Sequence, residues 1–142
     1  MIAVLAVALG AATGAVLRSV AERAQAALLV RARARRPELT HPADDGSPVW
    51  WFGPGWSTLA VNVLGSAVLG WAAARWSAGL LDEAWFWALG SGLAGGLSTF
   101  STLGVELDDA RRERRTARLV VLAGLQVVLG LASATIGYQL AV

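Results

Sequence analysis

Most charged residues of this chain fall into two clusters, with Arg75, Asp82 and Glu83 between them, and four largely apolar stretches make up much of the rest. These are Met1 to about Val20, Trp56 to Trp76 (uncharged until Arg75), Ala84 to Leu107 (Glu106 its only charge) and Leu119 to Val142 (no charge). Each approaches or exceeds the ~20 residues that a helix needs to cross a ~30 Å hydrocarbon layer. In hydrocarbon a backbone must satisfy its own polar groups, so such stretches are expected as helices. The pattern predicts an all-α integral membrane protein, with residues 1–142 as one transmembrane domain of four helices.

Composition agrees with a chain dissolved in lipid. Hydrophobic residues make up 56% and charged residues 15%, against roughly a quarter charged in soluble domains. Cysteine is absent, which excludes disulfides and thiolate metal sites. The one histidine, His41, cannot form a metal cluster alone. The pI of about 10.4 raises the question of nucleic acid. Arginines that anchor loops at anionic lipid explain it better, and no nucleic-acid partner is expected. The first stretch lacks the positive residues that precede the apolar part of a signal peptide, so it is read as a retained helix.

The connections are unequal. Residues 21–55 form a long arginine-rich link whose Ala24–Ala34 portion has the composition of a helical extension. Pro37, His41, Pro42, Asp44, Asp45, Gly46 and Pro48 then mark a loop. Trp50, Trp51, Phe52 and Trp56 have the character of an interfacial aromatic belt. Ser77–Glu83 is short, and Asp108–Arg118 is charged. With four spans, links one and three share a side, and that side holds eleven of the twelve arginines once Arg18 at the end of the first helix is included, leaving Arg75 alone on the other. This bias places both basic links in the cytoplasm and both termini outside the cell membrane.

Two segments carry the spacing Gly-x-x-x-Gly, Gly10–Gly14 and Gly92–Gly96, which lets helix backbones approach closely. The second is followed by four hydroxyl residues within five positions, Ser98, Thr99, Ser101 and Thr102, with Phe100 among them. Adjacent glycines weaken a helix by about 1 kcal/mol each relative to alanine. The third helix is therefore expected to break at 95–102. Carbonyls freed there suit a hard cation, and the start of the resumed half-helix suits an anion. A kinked packing helix, its hydroxyls bonded back to the backbone, is the alternative. Asn62, inside the second apolar run with Thr58 one turn before it, favours the first reading, because an amide in hydrocarbon needs partners. Arg18 is either a snorkelling anchor or an attractor for anions. No carboxylate lies mid-membrane, which argues against a proton-coupled, small multidrug-type transporter. No nucleophile–base pair or phosphate loop points to an enzyme.

Three stretches, in order, resemble those of the CrcB/Fluc family of fluoride channels. Gly10-Ala11-Ala12-Thr13-Gly14-Ala15-Val16-Leu17-Arg18 is similar to the family's Gly-x-x-x-Gly-Ala-x-x-Arg. Gly55-Trp56-Ser57-Thr58-Leu59-Ala60-Val61-Asn62-Val63-Leu64-Gly65-Ser66 is similar to its Gly-Thr-Leu-x-Val-Asn-x-x-Gly-Ser. Gly95-Gly96-Leu97-Ser98-Thr99-Phe100-Ser101-Thr102-Leu103-Gly104-Val105-Glu106 resembles its Gly-Gly-x-Thr-Thr-Phe-Ser-Thr-Phe-x-x-Glu. The resemblance implies an antiparallel, dual-topology dimer with two fluoride pores. It also implies a structural sodium ion held by the backbone carbonyls of Gly95 and Ser98. Asn62 would be the pore amide and Phe100 a pore ring whose positive edge faces the anion. Thr99, Ser101 and Thr102 would lie beside it, with Thr58 and Arg18 as further candidates.

Two departures stand out. The family's second pore phenylalanine falls at Leu103, and between Leu119 and Leu131 the fourth helix has Gln126 as its only polar side chain. An arginine count of eleven against one also conflicts with a sequence that inserts both ways up. The expectation is a passive fluoride-export subunit that forms one half of a heterodimer with a related chain of opposite bias. The alternative is a non-conducting assembly subunit that completes its partner's pore.

Overall fold

Uncharged runs rich in Ala, Leu, Val and Gly form long helices, and charge, glycine or a side-chain cap marks where they stop. The computed structural model describes residues 2–35, 56–112, 114 and 116–142. His41, Asp44, Asp45 and the aromatic group Trp50, Trp51 and Phe52 lie outside those residues. The helices are α1 (Ile2–Arg35), α2 (Trp56–Ser77), α3 (Glu83–Trp87), α4 (Gly95–Leu97), α5 (Phe100–Arg112) and α6 (Thr116–Ala141). A π-helical stretch, Ala88–Ala94, joins α3 to α4. No strand occurs among the described residues.

Three of these helices contain segments long and apolar enough to cross a membrane: Ile2–Arg31, Trp56–Ser77 and Val120–Ala141. The third apolar run forms no continuous helix, because it is divided between α3–α4 and α5 at Ser98 and Thr99. Helix α1 continues through the Ala/Leu/Arg-rich stretch to Arg35. At 1.5 Å per residue it is about 50 Å long, well beyond the hydrocarbon thickness. Its level against α2 is fixed by the Ser57 N–H, which donates to Gln25 Oε1 at 2.8 Å and so caps the start of α2 from a neighbouring helix. Helix α5 runs past Leu107 to Arg112, where Arg112 and Asp108 pair at 2.7 Å along its exposed face.

At the opposite end α2 closes with its Leu80 N–H on the Arg75 carbonyl and its Gly79 N–H on the Trp76 carbonyl, both at 2.9 Å. Gly79 has φ +70°, the left-handed conformation that this kind of helix ending requires. The turn brings Trp76 onto Phe86, stacked with ring centroids 4.7 Å apart.

Lipid tails are as apolar as leucine, so helices in a bilayer associate through close packing of small residues rather than exclusion of water. The bundle follows this rule with helices that are not neighbours in sequence. Helix α1 lies against the π stretch and α4. A Cβ on Gly10 would meet the Ala88 carbonyl oxygen, and one on Gly14 the Leu93 carbonyl oxygen. In return, a Cβ on Gly92 would stand 2.8 Å from the Val7 carbonyl oxygen, and one on Gly96 would meet that of Ala11. The two Gly-x-x-x-Gly segments are thus the two halves of one crossing. Helices α2 and α6 repeat the device, with Gly70 against Ala134 and Gly137 against Ala67. The Ser133 hydroxyl donates to the Val63 carbonyl at 2.7 Å across the same seam. Gly65 of α2 faces the Ala94 carbonyl and joins the two pairs.

Candidate functional site

The break in the third apolar run is built from exchanged hydrogen bonds. In an unbroken helix the Thr99 N–H would donate to the Gly95 carbonyl and the Thr102 N–H to that of Ser98. Here Ser98 is extended (φ −73°, ψ 153°). The Thr99 N–H donates to Asn62 Oδ1 at 2.7 Å, and the Thr102 N–H to the Thr99 hydroxyl at 3.2 Å. The second contact makes Thr99 the N-cap of α5. The two carbonyls that thereby lose these donors are those of Gly95 and Ser98, which the resemblance assigns to a cation. Among the described residues no cluster of three or more His, Cys, Asp or Glu could hold a metal, so a cation here would depend on such main-chain oxygens. Freed carbonyls at a helix break suit a hard alkali cation chemically.

Asn62 projects from α2 about 9 Å from its start, at 1.5 Å per residue. Its amide clasps the Thr99 main chain on both sides, because Nδ2 also donates to the Thr99 carbonyl at 3.3 Å. Nδ2 donates in addition to Gln126 Oε1 on α6, at 3.1 Å. One side chain thereby ties α2, the break and α6 together. Every hydrogen-bonding direction of its amide that donates is taken up inside the chain. Near the same end, the Thr58 hydroxyl, 1% exposed, donates to Glu106 Oε1 at 2.6 Å.

The hydroxyl cluster is largely turned on itself. Thr99 Oγ1 lies 3.1 Å from Ser101 Oγ and 3.2 Å from Thr102 Oγ1. Phe100 leaves the cluster outward and is 84% exposed, whereas Leu103, one turn on, is 8% exposed. The two ring positions expected from the resemblance therefore do not share one open face of this chain. Gly95 is exposed and Ser98 half-buried. Arg18 lies outside this network, 3.9 Å from Glu22 on its own helix. Sequence reasoning brought Asn62, Thr99, Ser101 and Thr102 to one place, and the structure joins them there. It missed Gln126 as the partner of Asn62 and Glu106 as the partner of Thr58. The available signal was their isolation, since a lone polar side chain in an apolar run must find a partner.

Comparison with known proteins follows the same lines. A family model described as CrcB-like protein, Camphor Resistance (CrcB), matches residues 5–138. The fluoride-specific ion channel FluC of Deinococcus radiodurans is 34% identical over 130 residues, covering 92% of this chain and 87% of that protein. FluC 1 of Corynebacterium jeikeium is 35% identical over 139 residues, covering 90% and 83%. FluC of Renibacterium salmoninarum is 40% identical over 85 residues, covering 60% and 68%.

Proposed function

The chain belongs to the CrcB family, an ion channel family and not one of enzymes, and from that premise we propose that it is a fluoride channel subunit. It is a multi-pass membrane protein in which the broken α4–α5 segment completes a fourth crossing of the cell membrane. Fluoride leaves the cytoplasm passively along the break. The observation that carries this reading is the Asn62 clasp on Thr99. It keeps a helix interrupted inside an apolar bundle, and broken backbone at membrane depth is tolerated only where it is buried in protein or lines a water-filled cavity.

The parts have separate tasks in this reading. The carbonyls of Gly95 and Ser98 would hold a structural sodium ion, which supplies a fixed positive charge and ties two copies of the break together. The start of α5 and the outward ring of Phe100 favour an anion. Thr99, Ser101 and Thr102 line the approach, and Arg18 draws anions toward it. Fluoride is small and tightly hydrated, so its water must be replaced by donors that still release it.

The direct test is fluoride efflux from liposomes reconstituted with the chain, read with a fluoride electrode. The expected result is efflux of fluoride with no comparable chloride release. Vesicles that retain fluoride both with this chain alone and with a related second chain would overturn the reading.

The arrangement we favour is an antiparallel dimer in which this chain holds one orientation. Its basic links face the cytoplasm and its partner is a related chain of opposite bias. The exposure of Phe100 supports a partner surface there, because a ring meant for a pore stands open at 84% on the single chain. The eleven-to-one arginine bias supports a fixed orientation. Tags on the termini should then report from the outside face in essentially every molecule, and equal labelling on both faces would sink the heterodimer. The burial of Leu103 favours a second reading, in which this chain completes its partner's pore and conducts poorly by itself. Flux restored only by the partner would distinguish it.

A further inference from the structure

The break, Asn62 and Gln126 form an ordered relay of hydrogen bonds whose direction is set at one end. A backbone N–H can only donate, so Asn62 must turn Oδ1 toward the Thr99 N–H, which it does at 2.7 Å. Nδ2 must then face the other way, and the group it meets on α6 must accept. Gln126 therefore presents Oε1 to it, at 3.1 Å. The orientation of two side-chain amides, each of which could otherwise be drawn either way round, follows from a main-chain atom that cannot flip. The last group in the sequence is Gln126 Nε2. It is buried and has no hydrogen-bond partner among the described residues.

We propose that Gln126 Nε2 is a donor that this chain offers to the permeating anion, so that Gln126 is a specificity-determining residue. The proposal rests on the fluoride reading above. Asn62 is consumed in holding the break and passes the donor direction of Thr99 on to α6. Gln126 takes it up where α6 has no other polar side chain between Leu119 and Leu131. An amide that accepts at its oxygen is polarised and becomes a stronger donor at its nitrogen. A donor with no acceptor in a low-dielectric site is costly, roughly 1–3 kcal/mol, and an anion removes that cost. A cation would meet only the positive end of the amide. The relay thus separates the two ions of the site, with main-chain oxygens for the cation and the end of the amide relay for the anion.

The chain has three glutamines, Gln25, Gln126 and Gln139, so selective 15N-glutamine labelling gives a spectrum with few side-chain amide signals, and Gln126→Leu assigns the relevant pair. The titration compares sodium fluoride with sodium chloride at equal ionic strength. The expected result is a fluoride-dependent shift of the Gln126 amide protons, with Gln139 unmoved and chloride without effect. Signals of Gln126 that ignore fluoride, or that follow chloride equally, overturn the proposal. This readout needs no conduction, so it stands even where liposomes show no flux and the channel reading itself fails. Where flux is present, Gln126→Glu is the decisive variant. It keeps an oxygen for Asn62 Nδ2 and removes the N–H, and should slow fluoride at least tenfold while the dimer still elutes intact. Wild-type flux in Gln126→Glu, or loss of the dimer in Gln126→Leu, would show that the amide serves assembly and not the anion.

Discussion

Asn62→Ala is expected to lower fluoride flux by a hundredfold or more while the protein still inserts into membranes. Three groups lose a partner at once, the Thr99 N–H, the Thr99 carbonyl and Gln126 Oε1. An orphaned buried polar group costs about 1–3 kcal/mol, and each 1.4 kcal/mol is a factor of ten. The cheapest relief for Thr99 is to return its N–H to the Gly95 carbonyl and heal the helix, which removes the path. Asn62→Asp is the discriminating companion. It keeps an acceptor for the Thr99 N–H but loses the donor to Gln126 and to the Thr99 carbonyl, so the break should survive and flux should fall less. Flux within twofold of wild type in Asn62→Ala would show that something else keeps the helix interrupted.

The second large effect is on assembly of the bundle. Gly96→Ala would set a Cβ against the Ala11 carbonyl oxygen, with Ala11 Cα at 2.9 Å and its carbonyl carbon at 3.0 Å. All three are backbone, so no side chain can rotate away and the helices themselves must separate. Overpacking of this kind costs about 1–3 kcal/mol. Gly70→Ala should do the same to the α2–α6 seam, where the neighbouring atoms are the backbone of Ala134. The control is Gly104→Ala, since a Cβ there meets nothing within 4 Å. Replacing a helical glycine with alanine should then gain up to about 1 kcal/mol. Thermal unfolding in detergent, followed by loss of monodisperse protein, reads all three. Equal tolerance of Gly96→Ala and Gly104→Ala would mean that the α1 crossing contributes little to stability.

Much of this was legible from the chain alone. Apolar length identified the three spanning helices, glycine spacing identified the close crossings, and adjacent glycines followed by hydroxyls pointed to the break, with Asn62 favouring a site there. What stayed hidden were relations between segments. Periodicity does not say that Gly10–Gly14 and Gly92–Gly96 belong to the same crossing, because either could serve a partner chain. The π stretch Ala88–Ala94 carries no signal beyond small residues that tolerate a widened turn. Gln126 looked like a lone polar residue in a poor lining, and its meaning depends on Asn62 lying opposite. Gln25 sits in a charged link by composition, yet caps α2.

The helices that pack most closely are never consecutive, and this has a consequence for how the chain is made. Asn62 and Gln126 are 64 residues apart. At a synthesis rate of about 5–20 residues per second the delay between them is roughly 3–13 s. During that interval α2 enters the bilayer carrying an amide with no α6 to receive it, while α1 waits for the π stretch. A nascent chain of this design needs another partner for that amide, such as water, until its last helix arrives. The residue that later keeps the path open is, for those seconds, the part of the chain most in need of a temporary host.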